Sequence, residues 1–366
     1  MKLSEALPDF PWDSLSAAKA RAAAHPGGIV DLSVGTPVDP TPDFVCQALA
    51  AAAQAPGYPA VWGTPQLRRA VIDYMQRRWH AGALDEHCVT TAVGTKEFVG
   101  WLPTLLALDS RHTVVIPEIA YPTYEVGALM AHAGIERCDD PDRVSSRPAL
   151  IWINSPANPH GAIASLELLR RWVAFARSTG AVLAADECYA EFAYDAPAYS
   201  VLDPQVNDGS VDGLIAVHSL SKRSNMAGYR AGFIVGDPSL TGELLAVRKH
   251  LGMIVPAPVQ AAMVAALGDD EHVVAQKARY AARRALLRPA LEAAGFRIDH
   301  SEGSLYLWAS QGTDGRASVD WLAERGILVA PGDFYGPGST DHVRISLTAS
   351  DERIAAAAQR LEASAS

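Results

Sequence analysis

Absent from the 366 residues are the features that would send a chain to a membrane, to nucleic acid or to a disulfide or metal scaffold. No uncharged apolar run reaches the roughly 18 residues of a membrane-spanning helix. There is no basic tract, and a net charge of −10 disfavours nucleic acid and anionic lipid as partners. The four cysteines, Cys46, Cys88, Cys138 and Cys188, are scattered without a C-x-x-C pair, so no zinc rhythm or redox motif is present and no metal is expected. The N-terminal stretch carries Glu5, Asp9 and Asp13 among prolines and lacks the apolar centre of a secretory leader. Reduced thiols and a cytoplasmic, soluble protein are the expectation.

What is present is hydrophobic patterning on a scale that needs no staples. With 49% hydrophobic and 20% charged residues, the chain has material for a large domain and a smaller one. "VTTAV" (Val89–Val93), "HTVVI" (His112–Ile116), "ALIWI" (Ala149–Ile153), "AVLAA" (Ala181–Ala185), "LIAVH" (Leu214–His218) and "AGFIV" (Ala231–Val235) alternate with helical windows. Strands apolar on both faces and joined by crossover helices predict a mostly parallel sheet in an α/β fold. Ligands bind beyond the strand carboxyl ends of such sheets, and polar residues cluster just after several of these runs. Beyond Pro258 an alanine- and arginine-rich helix precedes "SLYLW", "GILVA" and "HVRISL", which reads as α+β. The expected division is 41–265 for the large domain, with 1–40 and 266–366 forming the small one.

Four stretches carry candidate chemistry. In "AVGTKEF", Gly94, Thr95 and Lys96 sit where a strand turns into a helix, a place that suits a phosphate and equally suits an ordinary capped helix start. "INSPANPHG" packs Asn154, Asn158 and two prolines into one loop, in which Asn158 offers a donor amide; a plain Asn-Pro turn looks the same. "AADECYAEF" puts Asp186 at the end of an apolar strand, where a buried carboxylate needs a cationic partner or else caps the next helix. Tyr189 follows one turn later.

"HSLSKRSNMAGYRAGF" is the most specific of the four. A lysine near an arginine is usually surface charge, but Lys222 at a strand end, if partly desolvated near other cations, would have its neutral amine favoured, the form that condenses with an aldehyde. Ser219 and Ser221 can donate to a phosphate and Arg230 can grip it, with Gly228 allowing the turn that brings Arg230 back.

Taken in order, "NSPANPHG", "DECY" and "SLSKRSNMAGYR" resemble the motifs of the fold-type I pyridoxal-phosphate aminotransferases, the aspartate aminotransferase superfamily. The resemblance covers about Asp31 to Leu347. It implies an α/β fold of PLP-dependent transferase type I: a mostly parallel seven-stranded sheet between helices in the large domain, and a smaller α+β domain. It implies pyridoxal 5'-phosphate carried on Lys222, with Asp186 on the ring nitrogen and Asn158 and Tyr189 on the phenolate oxygen. Gly94, Thr95, Lys96, Ser219, Ser221 and Arg230 fall at phosphate-binding positions, and Tyr121 of "AYPTY" at the position that stacks on the ring. Arg344 of "HVRISL" matches the α-carboxylate arginine and Gly35 of "SVGTP" the small residue beside it. Tyr58 matches a tyrosine that crosses to the partner's phosphate, which implies a homodimer with shared sites. His160 stands where the family motif has threonine; packing or solvent exposure accounts for it more simply than a substrate contact.

The partners implied are small amino acids and 2-oxoacids. "HSLSKRSNMAGYRAGF", "VPAPVQAAM" and "GSLYLW" together look like the succinyldiaminopimelate aminotransferases of lysine and diaminopimelate biosynthesis. That subgroup exchanges an amino group between glutamate and N-succinyl-2-amino-6-oxopimelate by a ping-pong route. Arg248 or Lys249, supplied from their own chain or across the dimer, are candidates for the remote carboxylates, although a charged helix surface explains them equally. Transaminases of aspartate, kynurenine or LL-diaminopimelate, a carbon–sulfur lyase on the same scaffold, and a non-enzymatic α/β binding module are the alternatives.

Overall fold

The computed structural model describes residues 7–365; residues 1–6, Glu5 among them, and Ser366 lie outside it. The apolar runs become strands of one seven-stranded sheet whose order across is Val89–Val93, Ala231–Gly236, Leu214–Ser219, Val182–Asp186, Leu150–Asn154, Thr113–Ile116, Gly134–Arg137. Along Leu150–Ile153 the side chains alternate between two apolar clusters, Leu150 and Trp152 on one face, Ile151 and Ile153 on the other. That is the two-residue period of a strand covered on both sides. Each large aliphatic side chain so buried contributes about 1.5–3 kcal/mol. The helices over the faces have local stops: Ser165 caps Leu166–Thr179 by accepting from Leu168 N, and Gly180 at φ 74° ends it.

Strand direction decides what meets at the rim. All neighbours are parallel except the two pairs made by Ala231–Gly236, which runs antiparallel to both strands beside it. An antiparallel strand begins where its neighbours end, so Arg230 arrives at the edge that also carries Asp186, Ser219 and the turn after Val93. The sheet's outer strand Gly134–Arg137 escapes the hydrophobic pattern because Glu136 and Arg137 are polar and only half-buried.

A second, antiparallel sheet is ordered Ala330–Pro331, Val343–Ser346, Tyr306–Ser310, Arg297–Asp299. The short strand Val30–Asp31 pairs in parallel with Ile327–Leu328. Leu15, Ala18, Ala22, Val30 and Leu32 share one apolar cluster with Tyr306, Trp308, Ile345 and Leu361. Among the described residues no helix is long and apolar enough to cross a membrane.

Candidate active site

A cavity of about 650 Å³ opens at the strand carboxyl ends of the large sheet and is closed from the other side by Tyr306, Leu328 and Arg344. It brings together Gly35, Thr95, Lys96, Tyr121, Asn158, Asp186, Tyr189, Ser219, Ser221, Lys222, Arg230 and Arg344. Of the residues expected at the cofactor and the α-carboxylate, two are not in the lining. Gly94 lies behind Thr95, at φ 72°, where a Cβ would stand 2.2 Å from Arg230 Nη2. Tyr58 is away from the cavity, with a relative exposure of 101%.

Lys222 belongs to a one-turn helix, Leu220–Arg223, which Ser219 caps by accepting from Ser221 N at 3.1 Å. The amine donates to the Gly35 carbonyl, and no carboxylate pairs with it among the described residues. Burial, reinforced by the charges of Arg344 and Arg230, holds its pKa below the ordinary lysine range. The neutral amine is thereby favoured. Asp186 ends its strand buried, with Oδ2 accepting from the Tyr124 hydroxyl at 2.8 Å and Oδ1 from Cys188 N at 3.1 Å. Burial pushes its pKa up against these hydrogen bonds. A cationic N–H in the cavity would supply the counter-charge that it lacks.

The Asn-Pro loop is fixed by Asn154, whose Nδ2 donates to Asp186 O at 2.8 Å while its Oδ1 accepts from Asn158 N at 2.7 Å. That brings Asn158 opposite Arg344. The Arg344 guanidinium is buried, donates to Asn158 Oδ1 at 2.9 Å and Ser33 O at 2.7 Å, and lies 4.1 Å from the Tyr306 ring centroid. Its Nε has no partner, and no carboxylate pairs with it among the described residues. Gly35 is required here because a Cβ would fall 2.1 Å from the Tyr306 hydroxyl. The Tyr189 and Tyr306 hydroxyls lie 2.9 Å apart. Burial pushes the Tyr121 phenol up to about 12, so it stays neutral.

His160 is not in the lining; its ring packs 5.1 Å from that of His300, and Nδ1 accepts from Ala162 N at 3.2 Å. The expectation for Arg248 is corrected. Its side chain has 0% exposure and forms an ion pair with Glu97 at 2.8 Å, so it is no surface cation and cannot reach a substrate. Lys249 is exposed and also outside the lining. Tyr124, Tyr306, Trp12, Ser33 and Cys188 are site residues that the motifs did not single out. Tyr124 left one trace, a second tyrosine three positions after Tyr121, and Tyr306 another, inside "GSLYLW".

The donor set fits pyridoxal 5'-phosphate: a neutral-prone amine and, among the described residues, a buried carboxylate without a counter-charge and two arginines without acid partners at separate points of one cavity. Residues 28–361 match the family model "Aminotransferase class I and II". A Mycobacterium tuberculosis protein described as "Probable aminotransferase" is 57% identical over 360 residues, covering 98% of this chain and 86% of that protein. The 4-dedimethylamino-4-oxo-anhydrotetracycline transaminase OxyQ of Streptomyces rimosus is 56% identical over 356 residues, covering 97% and 99%. Among solved structures, a "probable N-succinyldiaminopimelate aminotransferase" from Thermus thermophilus superposes with a TM-score of 0.87 at 27% identity, covering 97% of this chain and 100% of the other. The chain therefore belongs to the class I and II aminotransferases and is a transaminase with the aspartate aminotransferase-like fold, in a family that uses pyridoxal phosphate.

Proposed function

We propose that this transaminase moves an amino group between glutamate and N-succinyl-2-amino-6-oxopimelate. Bound pyridoxal phosphate supplies the aldehyde and the electron-withdrawing ring that make the α-proton of an amino acid labile. The chain does the rest. Asp186 holds the ring nitrogen, Asn158 Nδ2 and the Tyr189 hydroxyl the phenolate oxygen, and Tyr121 the ring face. Ser219, Ser221, Arg230 and the backbone N–H groups of Gly94–Lys96 hold the phosphate. Lys222 would hold the aldehyde and would carry the proton at the substrate Cα, burial favouring the free amine that can accept it. Arg344 grips the α-carboxylate beside Gly35 with a planar fork.

The observation that carries the substrate class is the surplus of positive charge. With Lys222, Arg230 and Arg344 assigned, Lys19 and Lys96 also line the cavity, so that its five cations outnumber its three carboxylates, Asp13, Asp31 and Asp186, and neither lysine has a carboxylate partner among the described residues. A long acceptor with distal carboxylates uses both, and a short dicarboxylate such as glutamate reaches one. The likeness to the Thermus structure supports this reading. The likeness to the anhydrotetracycline transaminase supports a second, a polycyclic ketone acceptor, for which Phe10 and Trp12 on the same wall offer apolar surface.

We place the enzyme in the cytoplasm as a homodimer, divided at 41–265 against 1–40 with 266–366. Four free cysteines suit a reducing compartment, and the fully exposed Tyr58 suits a residue reserved for a partner's site. A half-reaction screen tests the substrate. The pyridoxal-form enzyme, mixed with single amino donors, should convert to the pyridoxamine form with glutamate and with N-succinyl-diaminopimelate. Conversion by aromatic donors alone, or release of pyruvate from a cystathionine-like substrate without any oxoacid, would exclude it.

A further inference from the structure

The helix that begins at Thr95 is anchored by a clasp lying outside the cavity lining. Arg248, on helix Pro238–Leu251, donates from Nη1 to Glu97 Oε1 at 2.8 Å and from Nη2 to Glu97 Oε2 at 3.1 Å, a two-pronged pairing. Nη2 also donates to Thr91 O at 3.2 Å. The same Glu97 Oε2 accepts from Val93 N at 3.2 Å, so one carboxylate reaches back across Gly94 to the end of the strand. Thr91, Val93 and the first helical turn are thus tied to one buried guanidinium. The segment they bracket is Gly94–Lys96.

A buried ion pair is a poor way to gain stability, because an apolar pair of similar volume is often as stable or more so. What it supplies is fixed geometry. Val93 pairs in register with Ala231, and Arg230 immediately precedes that residue. The guanidinium of Arg230 rests against the turn, where a Cβ at position 94 would displace it and where φ 72° itself favours glycine. The clasp therefore fixes the backbone N–H half of an anion cradle whose other half is Arg230, at the start of the paired strand.

We propose that Arg248, acting through Glu97, is a positioning residue for the cofactor's phosphate. It holds the N–H groups of Gly94–Lys96 in an anion-binding conformation without touching the anion. This rests on the phosphate placement proposed above, and the test separates the two.

Full-length protein stripped of cofactor is titrated with pyridoxal phosphate and, separately, with pyridoxal, which has the aldehyde and ring but no phosphate; binding is followed by cofactor absorbance. The wild type should bind the phosphorylated form far more tightly, and absence of that preference would overturn the phosphate placement itself. Arg248→Met should weaken pyridoxal phosphate about tenfold, the worth of one charge-assisted hydrogen bond, with pyridoxal unchanged. Arg248→Lys, which keeps the charge and loses the fork, should fall between. Equal losses for both ligands, or none for either, would overturn the proposal. Should the single variant fail to fold, Glu97→Gln/Arg248→Met removes both charges together; the same selective loss is expected from it, and an unchanged preference again overturns the inference.

Discussion

Arg344 Nη1 donates to Asn158 Oδ1 at 2.9 Å, joining the strand Val343–Ser346 of the small sheet to the loop that follows Leu150–Asn154 in the large one. The bond orients the amide: with Oδ1 engaged by arginine, Nδ2 is left as a donor. Among the described residues Arg344 has neutral hydrogen-bond partners, an amide and the Ser33 carbonyl, so its charge stays available to a substrate carboxylate. Asn158→Asp is expected to raise KM for amino donors about tenfold, since a resident carboxylate competes for the same fork. Steady-state kinetics with glutamate checks this. An unchanged KM would mean that the substrate carboxylate is bound elsewhere.

Asp186→Asn should separate stability from function. The folded-state pKa of Asp186 is raised by burial, so between the unfolded value near 3.9 and that higher value the native state holds the proton more tightly than the unfolded chain. Stability of the cofactor-free protein is therefore lost as pH rises through that window. The asparagine variant has no such loss. Its cofactor-free form should melt higher at neutral pH, by roughly 1–2 °C for each kcal/mol relieved, while cofactor retention and turnover collapse. Calorimetry of both proteins from acid to neutral pH measures it, and a difference that does not grow with pH would contradict it.

Much of the fold was legible because strands such as Leu214–Ser219 and Ala231–Gly236 are buried on both faces and read as unbroken apolar runs. Gly134–Arg137 and Arg297–Asp299 were not, since short outer strands with polar, half-exposed side chains carry no such signal. Lys222, Asp186 and Asn158, which the cavity brings together, stood out in the sequence because each is a polar residue at or just beyond the end of an apolar strand. Trp12 and Tyr306 did not, because an aromatic in a cavity wall has the same local pattern as one in a core. Arg248 was misread for the converse reason. On a helix ending in Arg248, Lys249 and His250, nothing local tells a buried guanidinium from its exposed neighbour; only the distant Glu97 does.

His160 should prove replaceable. Burial, with His300 and His342 nearby, holds its pKa down at about 3, so the ring is neutral throughout the working range and contributes no limb to the pH–rate profile. Because the unfolded chain takes up a proton near pH 6.5 that the folded ring resists, acidification between about 6.5 and 3 costs stability. His160→Thr is expected to leave kcat/KM within about twofold, as substitutions away from the chemistry usually do, and to flatten the fall in Tm over that acid range. A lost limb in the pH–rate profile would instead give the imidazole a part in catalysis.

The shared-site dimer can be tested by complementation. Tyr58 is fully exposed and outside its own chain's cavity, whereas Lys222 lines it. If each site takes its tyrosine from the other subunit, Lys222→Ala and Tyr58→Ala subunits are defective for different reasons. In a mixed dimer, the subunit carrying Tyr58→Ala keeps its own Lys222 and receives an intact Tyr58 from its partner. One site of that dimer is then whole and the other lacks both groups. Random reassortment of equal amounts makes half the dimers mixed, so about a quarter of all sites should regain wild-type turnover. Activity should rise above the mean of the parents after co-refolding and not after simple mixing of stable homodimers. Activity that stays at the mean after verified subunit exchange would show that Tyr58 serves its own chain or none.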